Sequence, residues 1–106
     1  MNLDDAARLM DQLGNPTRLR IVRLLVRAGE QGRAVGDIQR SLDVPASTLS
    51  HHLSHLRGAG LVRQEREGTV LRCFVDFALI AGLVAFLTAE CCTDVGDAAV
   101  TRRAAG

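Results

Sequence analysis

The sequence is poor in aromatic residues and carries almost no net charge. It has three Phe, no Trp and no Tyr, and its formal net charge is +1. Proteins that bind single-stranded nucleic acid stack the bases on aromatic side chains, so the composition disfavours that class. Any nucleic-acid surface must come from local clustering of basic residues. No Ser/His/Asp set and no phosphate-binding loop is present, so we expect neither an enzyme nor a catalytic cofactor.

Long apolar runs are also missing. No uncharged run reaches the length of a membrane span, and no basic-then-apolar secretory leader is recognisable. We therefore expect no membrane partner and a cytoplasmic location. The three cysteines are an odd number without an export signal, which argues against structural disulfides and favours metal or redox chemistry. A length of 106 residues predicts one domain.

The stretch from Val44 to Leu61 organises the rest of the chain. As a helix it has an apolar stripe at i, i+4 and i+7, formed by Leu49, Leu53 and Leu56. The opposite side carries short donors and imidazoles instead of Lys and Glu, namely Ser47, His51 and Ser54, with Thr48 and His55 beside them. Short polar side chains let a helix approach base edges and phosphates closely. From the helix alone, DNA binding and an ordinary surface helix are equally acceptable.

Three shorter helices are predicted before this stretch, over Leu3–Leu13, Pro16–Val26 and Val35–Leu42. The first has an apolar side formed by Leu3, Ala6, Ala7, Met10 and Leu13. The second is expected to bury Leu19, Val22, Leu25 and Val26 and to turn its arginines outward. The third helix and the following one are joined by the turn Asp43–Pro45, and such a pair is a helix-turn-helix.

A hairpin follows directly. The runs Leu61–Arg66 and Val70–Val75 have the length of strands, and Glu67–Thr69 forms a tight turn between them. A ribbon in this position is a wing, and its basic residues Arg63, Arg66 and Arg72 are candidates for phosphate contacts. The alternative is a solvated hairpin whose arginines have no ligand.

The last predicted helix, Asp76–Cys92, has no charge between Asp76 and Glu90 and is apolar around most of its surface. A second copy of the chain, with the first helix helping, is the simplest cover for it. The alternative is the central helix of a monomer. The predicted fold is mainly α with a small β-hairpin, a homodimeric winged helix-turn-helix over residues 1–92, with residues 93–106 as a flexible tail.

The order of elements and several segments resemble the ArsR/SmtB family of winged helix-turn-helix repressors. The similar segments are Leu13–Ile21, Ser47–Leu56, Ala59–Val62 and Arg66–Gly68. The resemblance implies a homodimer that represses its own operon, binds double-stranded operator DNA with the helix Pro45–Arg57 in the major groove, and leaves DNA when an inducer binds. On that helix the expected DNA-binding residues are Ser47, Thr48, Ser50, His51 and Ser54.

Members of this family place their inducer sites differently. A Cys-x-Cys-type site before the recognition helix has no counterpart in Ala34–Gln39, and a zinc site on the last helix would need a His that this helix lacks. The pair Cys91–Cys92 resembles the vicinal cysteines of some arsenic-responsive members. The resemblance therefore implies an arsenic-responsive repressor.

Thiolates select soft ions, and trivalent arsenic forms three bonds. Cys91 and Cys92 alone suit an organoarsenical, whereas Cys73 as a third ligand would suit arsenite or antimonite. Strand parity places Cys73 toward the core, where a thiol usually serves as a small hydrophobe. Two alternatives stay open: a redox-sensing repressor in which Cys91 or Cys92 pairs with another cysteine, and an interaction module that does not bind DNA. A zinc site at His51 and His55 is less favoured than DNA binding.

Overall fold

The computed structural model describes residues 1–95, which form a mainly helical fold with a small antiparallel sheet. The helices are α1 (Leu3–Leu13), α2 (Pro16–Ala28), α3 (Val35–Leu42), α4 (Ala46–Gly58) and α5 (Phe77–Thr88), with a 3-10 turn at Gly29–Gln31. The strands are β1 (Arg33–Ala34), β2 (Val62–Glu67) and β3 (Val70–Val75). The predicted winged helix-turn-helix is confirmed, with α3 and α4 as the helix pair and β2 and β3 as the wing.

Side-chain caps explain where three of the helices begin. The Asn2 side chain accepts a hydrogen bond from the backbone N–H of Asp5 at 2.8 Å. The Asn15 side chain accepts from Thr17 N–H at 2.9 Å, next to Pro16 in the first turn of α2. Asp76 accepts from Leu79 N–H at 2.9 Å at the start of α5. Such caps satisfy backbone donors that have no partner within the helix.

The core lies where α2, α3 and α4 meet the sheet. Its fully buried side chains include Ile21, Leu25, Ile38, Leu49, Leu53, Leu56, Leu61 and Cys73. The predicted apolar stripe of α4 is confirmed. The prediction for α2 is wrong for Leu19 and Val26, which are 44% and 42% exposed, while Ile21 and Leu24 are buried instead. Because α2 contacts α1, α3, α4 and β3, its buried arc faces that junction.

The hairpin is part of a three-stranded sheet in the order β1-β3-β2, so the prediction of two strands missed one. The missed strand has only two residues, with Arg33 opposite Cys73, and is too short for a periodic pattern. Gly32 leads into it with φ +66°, and a Cβ there would lie 2.3 Å from the Cys73 carbonyl oxygen. The wing turn is also shorter than predicted, because Glu67 pairs with Val70.

The last helix ends earlier than predicted, at Thr88 instead of Cys92. Ala89 leaves the helical region with ψ 137°, and the Thr88 hydroxyl donates to the Val84 carbonyl at 2.9 Å. Turns follow, with positive φ at Glu90 and Cys92. Of the predicted tail, residues 96–106 lie outside the described residues. No helix among residues 1–95 is long and apolar enough to cross a membrane.

Candidate nucleic-acid interface and thiol pair

The polar face of α4 is open to solvent. Ser47, Ser50, His51 and Ser54 are exposed, and Thr48 is half-buried. The opposite face holds the three buried leucines and packs against α2 and β2. The buried face therefore holds the helix in place, and the exposed face presents a row of short donors and imidazoles. A helix needs this arrangement to read base edges.

The histidines of α4 differ in their surroundings. The rings of His51 and His55 meet edge to face with their centroids 4.5 Å apart. His52 is half-buried, and its Nδ1 has no hydrogen-bond partner within the described chain. Burial lowers the pKa of His52, and the charges of Arg18, His51 and His55 lower it further. No group of three or more His, Cys, Asp or Glu side chains among residues 1–95 is arranged to hold a metal ion.

Two of the three wing arginines already have partners. Arg63 lies with Nη1 2.7 Å from a carboxylate oxygen of Glu65 and with its guanidinium 4.3 Å from the centroid of the Phe74 ring. Arg72 pairs with Glu67 at 3.3 Å and donates to the Gln31 carbonyl at 3.1 Å. Both point to the face of the hairpin away from the core, since side chains alternate along a strand. Their positive charge is partly neutralised there.

Arg66 lies on the other face of the wing. Arg66 is exposed, but it shares strand parity with buried Val62 and half-buried Gln64. Its side chain therefore lies on the side of the sheet that carries the core. It lines a cleft of about 420 Å³ with Asp37 and Arg40. Among residues 1–95 it has no carboxylate within ion-pair distance. Arg66 therefore differs from the other two wing arginines in the face of the wing that it occupies and in having no carboxylate partner among residues 1–95.

Arg40 is a residue of this surface that the sequence analysis did not single out. It forms an ion pair with Asp37 on the exposed side of α3 and lines the same cleft as Arg66. The only sequence signal is its spacing of three residues from Asp37, which is common on any exposed helix. Its place beside the wing depends on tertiary packing that periodicity does not reveal.

The two cysteines beyond α5 lie together. Cys91 is exposed and Cys92 is half-buried, and their Sγ atoms are 3.1 Å apart. The hydrogen bond with Cys91 raises the pKa of Cys92, and burial and the charge of Cys91 raise it further. A pair of this kind loses its second proton with difficulty, because two adjacent thiolates repel each other. The structure brings together the two predicted thiol ligands.

Cys73 has a different environment. Its side chain is fully buried, as strand parity predicts. The side-chain amide of Gln64 donates to its Sγ at 3.4 Å, and burial raises the pKa of the thiol. A thiol with no accessible surface can bind an ion only if the core opens, so the structure does not bring Cys73 together with the exposed pair.

Residues 1–95 of the single chain leave the apolar surface of α5 mostly uncovered. Leu83 is its only buried residue. The large exposed side chains of this helix are Phe77 (41%), Val84 (56%) and Leu87 (57%). On neighbouring α1, Leu3 and Met10 are 71% and 49% exposed. The two helices therefore present apolar side chains to solvent in the isolated chain.

Comparisons with known proteins agree with this geometry. A family model described as a helix-turn-helix domain matches residues 13–65. An uncharacterised helix-turn-helix transcriptional regulator of Methanocaldococcus jannaschii is 41% identical over 66 residues, 62% of this chain and 72% of that protein. The repressor PagR of Bacillus anthracis is 30% identical over 87 residues, 82% of this chain and 85% of that protein. A protein named for repression of an arsenical resistance operon in Halobacterium salinarum is 42% identical over 60 residues, 57% of this chain and 46% of that protein.

Among solved structures, a Mycobacterium bovis protein described as a homodimeric winged helix-turn-helix DNA-binding domain is similar with a TM-score of 0.64. It is 36% identical, and the match covers 83% of this chain and 82% of that one. The similarity extends beyond the helix pair, since it includes most of the described chain.

Proposed function

Because the chain belongs to the ArsR/SmtB family of winged helix-turn-helix transcriptional regulators, we propose that it is a homodimeric arsenic-responsive repressor. It binds operator DNA through α4 and the wing. It leaves DNA when a trivalent arsenical bonds to Cys91 and Cys92. The observation that carries this proposal is the 3.1 Å contact between the two thiols at the end of an apolar helix.

The proposed DNA contacts are of two kinds, polar contacts of α4 in the major groove and contacts of the wing arginines with backbone phosphates. Ser47, Ser50, His51 and Ser54, with Thr48 at the edge, supply the face of α4 that enters the major groove. Of the wing arginines, Arg66 is the best placed for a backbone phosphate, because no carboxylate of residues 1–95 neutralises it. Arg63 and Arg72 contribute less, since each would have to exchange a carboxylate for a phosphate.

The dimer forms through α5 and α1. A second copy that covers their exposed apolar side chains removes apolar surface from water. This burial stabilises the dimer by roughly 25 cal/mol for each Å² of apolar surface. The description of the Mycobacterium bovis relative as homodimeric supports a dimer, and the exposed apolar side chains of α5 and α1 support its location. A two-fold dimer carries two α4 helices, which would enter successive major grooves on one side of the duplex.

The inducer chemistry follows from the number of thiols. A monomethyl trivalent arsenical with two hydroxyl groups keeps its As–C bond and exchanges both As–O bonds for As–S bonds. The thiol protons of Cys91 and Cys92 leave with the two hydroxyls as two water molecules, so no oxidant or reductant takes part. The raised pKa of Cys92 lowers the fraction of attacking thiolate and so slows this exchange. The thiol still supplies the proton that the leaving hydroxyl needs.

Inorganic arsenite and antimonite are weaker candidates. Each has three exchangeable bonds, and the third thiol within the described chain, Cys73, is fully buried. Reaching it would open the sheet beside Gln64. The geometry therefore favours an arsenical with one carbon substituent over the inorganic ions.

A redox switch is the second candidate, because the same 3.1 Å contact brings two oxidisable sulfurs together. One peroxide molecule would take two electrons and two protons from the pair, giving a disulfide and two waters. However, adjacent Cα atoms are about 3.8 Å apart across a trans peptide, below the range of about 4.4–6.8 Å usual for disulfides. A bridging arsenic atom enlarges the ring and relieves this strain, so the arsenical is favoured.

The test is a DNA-release titration on a duplex that the parent protein selects from a random-sequence pool. The additions are arsenite, antimonite, a monomethyl trivalent arsenical, zinc, cadmium and peroxide. Release by the methylated arsenical at the lowest concentration is expected. Release by peroxide alone, reversed by dithiothreitol, would select the redox candidate, and failure to select any duplex would overturn DNA binding itself.

A further inference from the structure

A stripe of arginines on α2 belongs to none of the surfaces described above. Arg20, Arg23 and Arg27 are all exposed. At about 100° per residue they fall within an arc of roughly 60° on the helix. The helix Pro16–Ala28 has no acidic residue. The chain as a whole has a net charge of only +1, so this stripe is a local concentration of positive charge.

The three arginines line one groove. It has a volume of about 260 Å³ and is completed by Leu24 and by Ser41 and Leu42 at the end of α3. Within residues 1–95, no carboxylate lies within ion-pair distance of the three. This differs from α1 and α3, where Arg8 and Arg40 pair with carboxylates three residues away. The groove therefore holds several guanidinium groups that are not neutralised by the described chain.

The groove lies close to the start of α4. Its edge at Leu42 lies only four positions before Ala46, the first residue of α4, with three residues between them. Such a segment spans at most about 14 Å. A duplex carries about one negative charge per 1.7 Å of its axis, and its backbone continues past any groove that a helix occupies. Phosphates beside the major groove read by α4 thus come within reach of the stripe.

We propose that this groove, formed by Arg20, Arg23 and Arg27, binds backbone phosphates of the DNA flanking the segment that α4 reads. The inference rests on the proposed DNA binding and adds a second electrostatic contact to it. Arginine suits the role because its planar fork donates two parallel hydrogen bonds to a phosphate and keeps its charge at all relevant pH values. An acidic protein surface is the competing occupant, and it is an outcome of the test.

The experiment measures DNA affinity against salt concentration for the parent, for a variant with Arg20→Gln, Arg23→Gln and Arg27→Gln, and for the corresponding triple Lys variant. The probe is the duplex selected by the parent, in a short form and in a form extended at both ends. Arg8→Gln is the control that removes one exposed charge from another helix. Thermal melting and sedimentation check that each variant is folded and has the parent's oligomeric state.

We expect the Gln variant to lower the salt slope by about 0.9 for each lost phosphate contact and to lose the parent's preference for the extended duplex. The Lys variant should keep most of the parent's salt slope and most of its preference for the extended duplex. Arg8→Gln should match the parent in both measurements. A Gln variant with the parent's slope and length preference overturns the inference while leaving the proposed function intact. The inference is also overturned if the Gln variant binds DNA like the parent but loses the parent's binding to polyglutamate, an acidic polymer measured beside the duplexes as a stand-in for an acidic protein surface. If the parent itself binds no duplex, the proposed function has failed first.

Discussion

The Sγ atoms of Cys91 and Cys92 lie 3.1 Å apart, in turns that begin where α5 ends at Thr88. The pair is thus attached to the helix that we assign to the dimer contact. In our proposal, a bond from both sulfurs to one arsenic atom orders this segment. It shifts one subunit against the other, so that the two α4 helices no longer match successive grooves.

Single serine substitutions test the assignment of the ligands. Cys91→Ser and Cys92→Ser should each keep DNA binding and lose release by the methylated arsenical, because serine keeps the size but not the affinity for arsenic. Intact-mass measurement should show one arsenical per protomer on the parent and none that survives dilution on either variant. Cys73→Ser should respond like the parent. Loss of every arsenical response in Cys73→Ser, with Cys91→Ser unaffected, would refute the assignment.

The wing arginines should not be equivalent. Arg66→Ala should weaken binding to all duplexes and lower the salt slope by roughly one unit per lost contact, since this guanidinium faces the cleft beside α3. Arg63→Ala, which loses the Glu65 pair and the Phe74 contact, should change the slope less. The measurement is fluorescence anisotropy at several salt concentrations. Equal slopes for the two variants would contradict the distinction drawn from strand parity.

The apolar surface of α5 predicts the oligomeric state. Val84→Glu should weaken the dimer at least tenfold, because the carboxylate would be buried without a partner at the interface. Val70→Glu is the matched control, since Val70 is exposed on the wing at 41% compared with 56% for Val84. Sedimentation at micromolar concentration distinguishes the two. A parent that is monomeric under these conditions would contradict the dimer itself.

Two glycines with the same backbone conformation separate strain from steric clash. Gly29 and Gly32 both have positive φ, but an added Cβ at Gly29 meets nothing within 4 Å, whereas at Gly32 it meets the Cys73 carbonyl oxygen at 2.3 Å. Gly29→Ala should cost about 1–2 kcal/mol of unfolding free energy, and Gly32→Ala about 3 kcal/mol or more. Urea unfolding checks both values. Equal losses would mean that the neighbouring strand yields to the new methyl group.

The lowered pKa of His52 predicts a pH-dependent stability. The folded state disfavours the protonated form of this side chain, while in the unfolded chain it takes up a proton near its ordinary pKa of about 6.5. The unfolded state therefore binds more protons as the pH falls below about 6.5, and the unfolding free energy decreases. His52→Gln should flatten this decrease. A parent stability that rises from pH 7 to pH 5 would contradict the prediction.

The sequence predicts the main helices and strands of this fold better than its short strand and the end of its last helix. The stripe of Leu49, Leu53 and Leu56 and the alternation of the wing identify α4 and the hairpin because each pattern reports one buried face. Strand β1 is invisible to such patterns, since its two residues depend on Gly32 and on pairing with β3. The early end of α5 is equally hidden, because alanine favours helices and Ala89 nevertheless leaves this one with ψ 137°.

The candidate site likewise has features that the sequence predicts and features that only the structure reveals. The residue types on α4 and the adjacent cysteines are evident in the sequence, and the structure adds that the two sulfurs touch. The sequence does not reveal which wing arginine lacks a carboxylate partner among residues 1–95, because the partners of Arg63 and Arg72 come from strand and loop neighbours that the fold brings into contact.

The most direct measurement of the central claim is the affinity of the parent dimer for its selected duplex, with and without one equivalent of the monomethyl trivalent arsenical per protomer. Intact-mass detection confirms that the adduct has formed. The proposal predicts that the loaded dimer binds the duplex at least about fivefold more weakly, which is the lower limit of typical allosteric coupling. An unchanged affinity, with the adduct present on Cys91 and Cys92, would show that the thiol pair does not control DNA binding.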